Sequence, residues 1–104
     1  MTATSAVETA RRVLALFRRD AERVQTLGRG AANAMRVFDA LRRRPLATIP
    51  RLVTLTGVSF PTVARAIDGS AKLGIVREIT GKKRERVFAY TDYLAVLSEG
   101  TEPL

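Results

Sequence analysis

Apolar residues recur at helical intervals through the first quarter of the chain. Val7, Ala10, Leu14, Phe17, Ala21 and Val24 are separated by 3, 4, 3, 4 and 3 residues. Val13, Leu16 and Leu27 widen this stripe to about half the circumference at about 100° per residue, with Arg11, Arg12, Arg18, Arg19 and Arg23 on the other side. Glu8 lies four residues before Arg12, a favourable order for a helical ion pair. A two-stranded coiled coil needs only a narrow seam. The wide arc predicts a helix packed on a body, or shared between that body and a second chain. Asp20 intrudes into the arc and is expected to meet an arginine or to lie at the arc's edge. The arginine face reads as a solvated surface, and Glu8 and Glu22 argue against a membrane-surface helix.

Gly28-Arg29-Gly30 breaks this helix. A second helix is predicted from Ala31 to Arg43, with Ala31, Met35, Phe38 and Leu41 on one stripe and Pro45 ending it. Arg42, Arg43 and Arg44 suit the negative end of its dipole. Thr48 is a candidate N-cap, with Pro50 in the first turn, for a short helix to Thr56 that buries Ile49, Leu52 and Val53. Ser59 caps the next helix, which has Pro61 in its first turn, runs to Leu73 and faces Val63, Ala66 and Ile67 inward. Gly74 closes it. The period then becomes extended. Ile75–Ile79 and Arg86–Tyr90 read as strands around a basic turn, Thr80–Arg84. Asp92 is expected to cap a last helix, Tyr93–Leu97, followed by a polar tail from Glu99 to Leu104. The fold class is therefore mainly α with a small β-hairpin: an N-terminal amphipathic helix over residues 1–27 for packing or dimerisation, then a winged helix-turn-helix over residues 28–104 with its core in Thr48–Tyr90.

Composition narrows the chemistry. The 104 residues suffice for one small domain. The chain has no cysteine, and so no disulfide, thiolate nucleophile or zinc site of the usual kind. It also has no histidine, the commonest general base and metal ligand. No nucleophile–base pair, phosphate-cradling glycine loop or metal cluster is evident. The expectation is a non-enzyme that needs no cofactor or metal. No apolar run has bilayer-spanning length and no signal peptide is evident, so no membrane association is expected and the chain is placed in the cytoplasm. The net charge is +8, unevenly placed. Residues 28–86 hold 13 basic and 4 acidic residues, whereas residues 87–104 hold only 3 acidic ones. The surplus lies over the predicted helix-turn-helix and wing, where it favours polyanions.

The informative constellation is Val53, Gly57 and Val63, spaced four and six apart. A helix-turn-helix needs a modest residue where its helices cross, a glycine for the positive φ of the turn, and a β-branched residue locking the second helix onto the first. That second helix then offers its N-terminal turns to a major groove. Its outward positions are Phe60, Thr62, Arg65, Asp68 and Gly69. Ser59, Thr62 and Arg65 are the candidates at the DNA, with Thr62 and Arg65 at base edges, since arginine can grip guanine in bidentate fashion. Lys72, Lys82, Lys83, Arg84 and Arg86 are phosphate candidates. Phe60 is expected to be partly buried. Asp68 opposes phosphate.

The chain also resembles the C-terminal winged-helix region of Fic-family proteins. The likeness lies in Gly57-Val58-Ser59-Phe60-Pro61-Thr62-Val63, in Leu73–Gly81, in Arg84-x-Arg86-Val87-Phe88-x-Tyr90 and in Tyr93-Leu94-x-x-Leu97, and it extends to the ending Glu99–Glu102. Fic enzymes transfer AMP or related groups to protein hydroxyls through an HPFxxGNGR motif, which this chain lacks, so the resemblance implies the fold and a DNA-binding or regulatory role without the activity. It departs from the family at Ser70, where a leucine is usual, with Gly69 before it. The end of that helix is accordingly expected to be loose or bent. Two functions follow. One is double-stranded DNA binding, as a transcriptional regulator or the regulatory part of a Fic protein. The other is an interaction module whose N-terminal helix docks on a Fic catalytic domain or on a second copy as a homodimer.

Overall fold

A computed structural model describes residues 6–81 and 84–100. The first helix, α1 (Ala6–Gln25), buries Leu16, Asp20 and Val24, and packs Phe17, Ala21 and, just beyond its end, Leu27 against the core. The N-terminal part of the predicted arc is not covered: Val7 and Leu14 are each 63% exposed. A short 3-10 turn at Gly28–Gly30 leads into α2 (Ala31–Arg43), which supplies Ala34, Val37, Phe38, Ala40 and Leu41 to the core. Next come α3 (Ile49–Thr56) and α4 (Phe60–Lys72), then β2 (Val76–Glu78) and β3 (Val87–Tyr90). No strand is predicted between Arg43 and Ile49, yet Leu46–Thr48 forms β1. Three residues are too few to show alternation, and the strand exists only because β3 pairs with it.

The sheet is antiparallel, in the order β1-β3-β2. Phe88 faces Ala47 on one side and Glu78 on the other. Phe88 and Tyr90 share the face turned to the helices, by the two-residue period of a strand. The order helix, strand, helix, turn, helix, strand, strand is that of a winged helix-turn-helix, here preceded by the long α1. The core runs between α2 and α4 through Phe38, Leu41, Leu52, Val63, Ile67 and Ile75. Burying each large side chain contributes about 1.5–3 kcal/mol. That outweighs the penalty of about 0.5–1 kcal/mol for Gly69 within α4.

The end of α4 is neither loose nor bent. Ile75 N–H donates to the Ser70 carbonyl and Gly74 N–H to the Ala71 carbonyl, at 3.0 and 2.9 Å. These two bonds close the helix in a Schellman motif, with Gly74 left-handed at φ 79°. Gly69 does not face outward into solvent as predicted: a Cβ there would lie 3.3 Å from both δ carbons of Leu27. The missing side chain lets the corner after α1 approach α4.

Aromatic rings join α1 to the rest. Phe17 meets Tyr93 edge-on at 4.8 Å and Phe38 at 6.3 Å, and Phe38 lies 5.6 Å from Tyr90. Such pairs contribute beyond their buried area. Asp20 sits fully buried beside them. Its carboxylate accepts from Arg19 Nε and Arg23 Nη1, both at 2.9 Å, and from the Tyr90 hydroxyl at 2.7 Å. The expected arginine is found twice, but Asp20 lies in the interior and not at the arc's edge. The last helix, α5 (Thr91–Gly100), is longer than predicted at both ends. Asp92 pairs with Arg19 and Glu99 with Arg12, so α5 runs antiparallel to α1 and Glu99 belongs to the helix and not to a tail. No helix among the described residues is long and apolar enough to cross a membrane.

Candidate nucleic-acid interface

The helix-turn-helix is set by local geometry. Thr48 has extended backbone and its Oγ1 accepts from Arg51 N–H at 3.2 Å, capping α3 as predicted. At the other end Gly57 is left-handed, with φ 73°, and donates its N–H to the Val53 carbonyl at 2.8 Å. Thr56 Oγ1 accepts from Val58 N–H at 3.1 Å, which drives Val58 into the core. Ser59 then starts α4 with extended backbone, but its hydroxyl does not cap the helix: it donates to Thr62 Oγ1 at 2.9 Å. Ser59 and Thr62 thus form one hydroxyl pair beside the first turn of α4.

The buried side of α4 is Val63, Ala66, Ile67 and Ser70, so the outward ridge is Pro61, Arg65, Asp68 and Lys72. Arg65 is exposed and forms no ion pair among the described residues. Lys72 Nζ lies 3.4 Å from Asp68 Oδ2, with both side chains over two-thirds exposed. Such a pair is weak and exchangeable. Thr62 is half-buried on the flank of the ridge.

The wing base is organised by Glu78. Its Oε2 accepts from the Thr80 hydroxyl and from Gly81 N–H, both at 2.6 Å, and Arg86 approaches Oε1 at 3.4 Å. The Thr80 hydrogen bond is the largest influence on its carboxyl. With Gly81 and Arg86 it outweighs partial desolvation and holds the group below the usual glutamate range. Arg86 is therefore committed on two sides, to Glu78 and to the Phe88 ring 5.2 Å below its guanidinium. The expected phosphate role of Arg86 competes with that partner. Arg84 is exposed, and Lys82 and Lys83 lie outside the described residues.

Between α4 and the wing lies a groove of about 440 Å³ lined by Ile49, Pro50, Phe60, Ala64 and Arg84 to Arg86. Phe60, expected to be partly buried, is 53% exposed at its edge. Sequence reasoning did not find this groove, nor Arg51, which stands exposed on the first turn of α3. Thr48, Gly57 and the proline at the start of both α3 and α4 were the local signs of how these ends are arranged.

Fold and surface together define a winged helix-turn-helix with a mildly basic outer helix. Compared with protein-family models, curated proteins and solved structures, the chain matches none.

Proposed function

We propose that the chain binds double-stranded DNA, with α4 in the major groove and the wing on the backbone, as a cytoplasmic transcriptional regulator or as the regulatory C-terminal part of a Fic-family protein. It has no catalytic role in this proposal. Fold alone does not carry function. The observation that supports the reading is Arg65, exposed in the middle of the outward ridge of α4 and without an ion pair among the described residues. An arginine exposed on a helix in this position is suited to the O6 and N7 acceptors of guanine. Lys72 on the same ridge, Arg51 on α3 and Arg84 on the wing are exposed and suit phosphates.

The test is fluorescence anisotropy on random and enriched duplexes across a salt series. Affinity should fall steeply with salt, because each neutralised phosphate releases counterions. Arg65→Ala should cost about 1–3 kcal/mol at an enriched site and much less on random DNA. Absence of binding at low salt would sink the reading.

A second reading rests on Val7 and Leu14, each 63% exposed on α1. This apolar surface suits docking onto a second copy or onto a Fic catalytic domain. It is compatible with DNA binding, since many helix-turn-helix proteins act as dimers.

A further inference from the structure

The N-terminal half of α4 is apolar on the side that faces the wing. Phe60 is 53% exposed, Pro61 is exposed and Ala64 half-exposed, while packing of the helix relies on Val63, Ala66, Ile67 and Ser70. Phe60 and Ala64 form one wall of the groove, and Ile49, Pro50 and the wing form the other. The wing side of the groove carries Arg84, Glu85 and Arg86, a net positive charge, and Arg65 next to Ala64 on α4 and Arg51 next to Pro50 on α3 are exposed. An apolar strip with these cations beside it complements a polyanion that carries small apolar groups between its charges. In the major groove of DNA the apolar group on display is the thymine C5-methyl, between two rows of phosphates. An acidic protein would also satisfy the cations. Its carboxylates would also pair with Arg65 in bidentate fashion, but it displays no small apolar groups set between two rows of charge as the thymine methyls are.

We infer that Phe60 and Ala64 take up thymine methyl groups next to the base that Arg65 grips, so that the chain selects sites in which thymine adjoins guanine. This rests on the double-stranded DNA reading of the same surface. It adds a specificity determinant that hydrogen bonding does not provide, and it gives the exposed phenyl ring a purpose in the bound state.

The experiment enriches tight-binding duplexes from a random pool with the full chain. Each thymine of the enriched site is then replaced, one at a time, by deoxyuridine, which removes only the methyl. Affinities are read by fluorescence anisotropy at fixed salt. Uridine should weaken binding about fourfold at one or two positions, the value of one buried methyl group. With Phe60→Ala the thymine–uridine difference at those positions should vanish, while phosphate-driven binding to random duplex persists. Thermal melting checks that this variant folds, and the uridine series on the unchanged chain decides the matter without it. If enriched duplexes bind and uridine is indistinguishable from thymine everywhere, the inference is overturned and DNA binding stands, with the groove left to a protein partner. If no duplex is retained at about 50 mM salt, the DNA reading and the inference fail together.

Discussion

Asp20 is the residue whose replacement should tell most about the fold. A carboxylate with no solvent exposure is tolerated because three donors surround it. Desolvation alone would push its carboxyl up, but the hydrogen bonds from Arg19, Tyr90 and Arg23 prevail and hold it below its ordinary value of 3.8. The Tyr90 hydroxyl moves the other way, raised first by burial and then by its bond to the Asp20 carboxylate. The signs set two limits. The Asp20 contribution is complete above 3.8 and is lost as pH falls through the lower folded value. The Tyr90 contribution is complete below 10.0 and is lost as pH rises above it. Urea midpoints should therefore hold between about pH 5 and 9 and decline on both sides, and Tyr90→Phe should remove most of the alkaline decline. Asp20→Ala should cost about 3 kcal/mol, at the low end for a broken buried pair because Arg19 and Arg23 keep access to water. Tyr90→Phe, which removes one donor, should cost about 1–3 kcal/mol. The sequence showed that a carboxylate stood in an apolar arc, and arginines at neighbouring positions on the helix were in view. Tyr90, 70 residues away, was not, because no helical period reaches across the fold.

Among the elements, α4 offers the sharpest comparison. Gly57 and Gly74 take positive φ at the two turns that bound it, where an L side chain costs about 1–2 kcal/mol. Gly57→Ala and Gly74→Ala should each lower stability by about that amount in urea denaturation. Gly69→Ala should behave differently. It gains about 0.5–1 kcal/mol of helical preference, and the new Cβ meets only the far end of the flexible Leu27 side chain. Its net effect should stay within about 1 kcal/mol of zero, whereas a larger residue there should be clearly destabilising. The predicted bounds of α2, and of α3 and α4 to within a residue, followed from apolar spacing, N-caps and proline, all of which act within one or two turns. β1 and the true length of α5 did not. β1 depends on the edge of β3, and α5 lies along α1, where Tyr93 meets Phe17 and Asp92 and Glu99 pair with Arg19 and Arg12. The site divides in the same way. Arg65 was legible because Val63, Ala66 and Ile67 fix the helical phase. The commitment of Arg86 to Glu78 and the groove beside Phe60 depend on how the wing meets α3 and α4, which no local pattern records.

At the scale of the whole molecule, α1 makes the chain elongated, 48 × 29 × 22 Å. Its exposed Val7 and Leu14 should drive association as concentration rises, measured by sedimentation velocity. Leu14→Glu should abolish that association with little change in melting temperature, since the side chain is 63% exposed. A strictly monomeric chain at high concentration would count against the second reading. The Asp20–Tyr90 bond then acquires a mechanical meaning. It ties the C-terminal half of α1 to the central strand of the sheet, and the rings of Phe17, Phe38 and Tyr93 brace the same joint. In the proposed DNA complex, α1 is a lever anchored through α2 and β3 to the body that carries α4. Two copies gripping one another through the free ends of their levers would hold their α4 helices at a set distance and angle, like the jaws of a caliper, and the spacing of paired half-sites would be dictated by the length of α1.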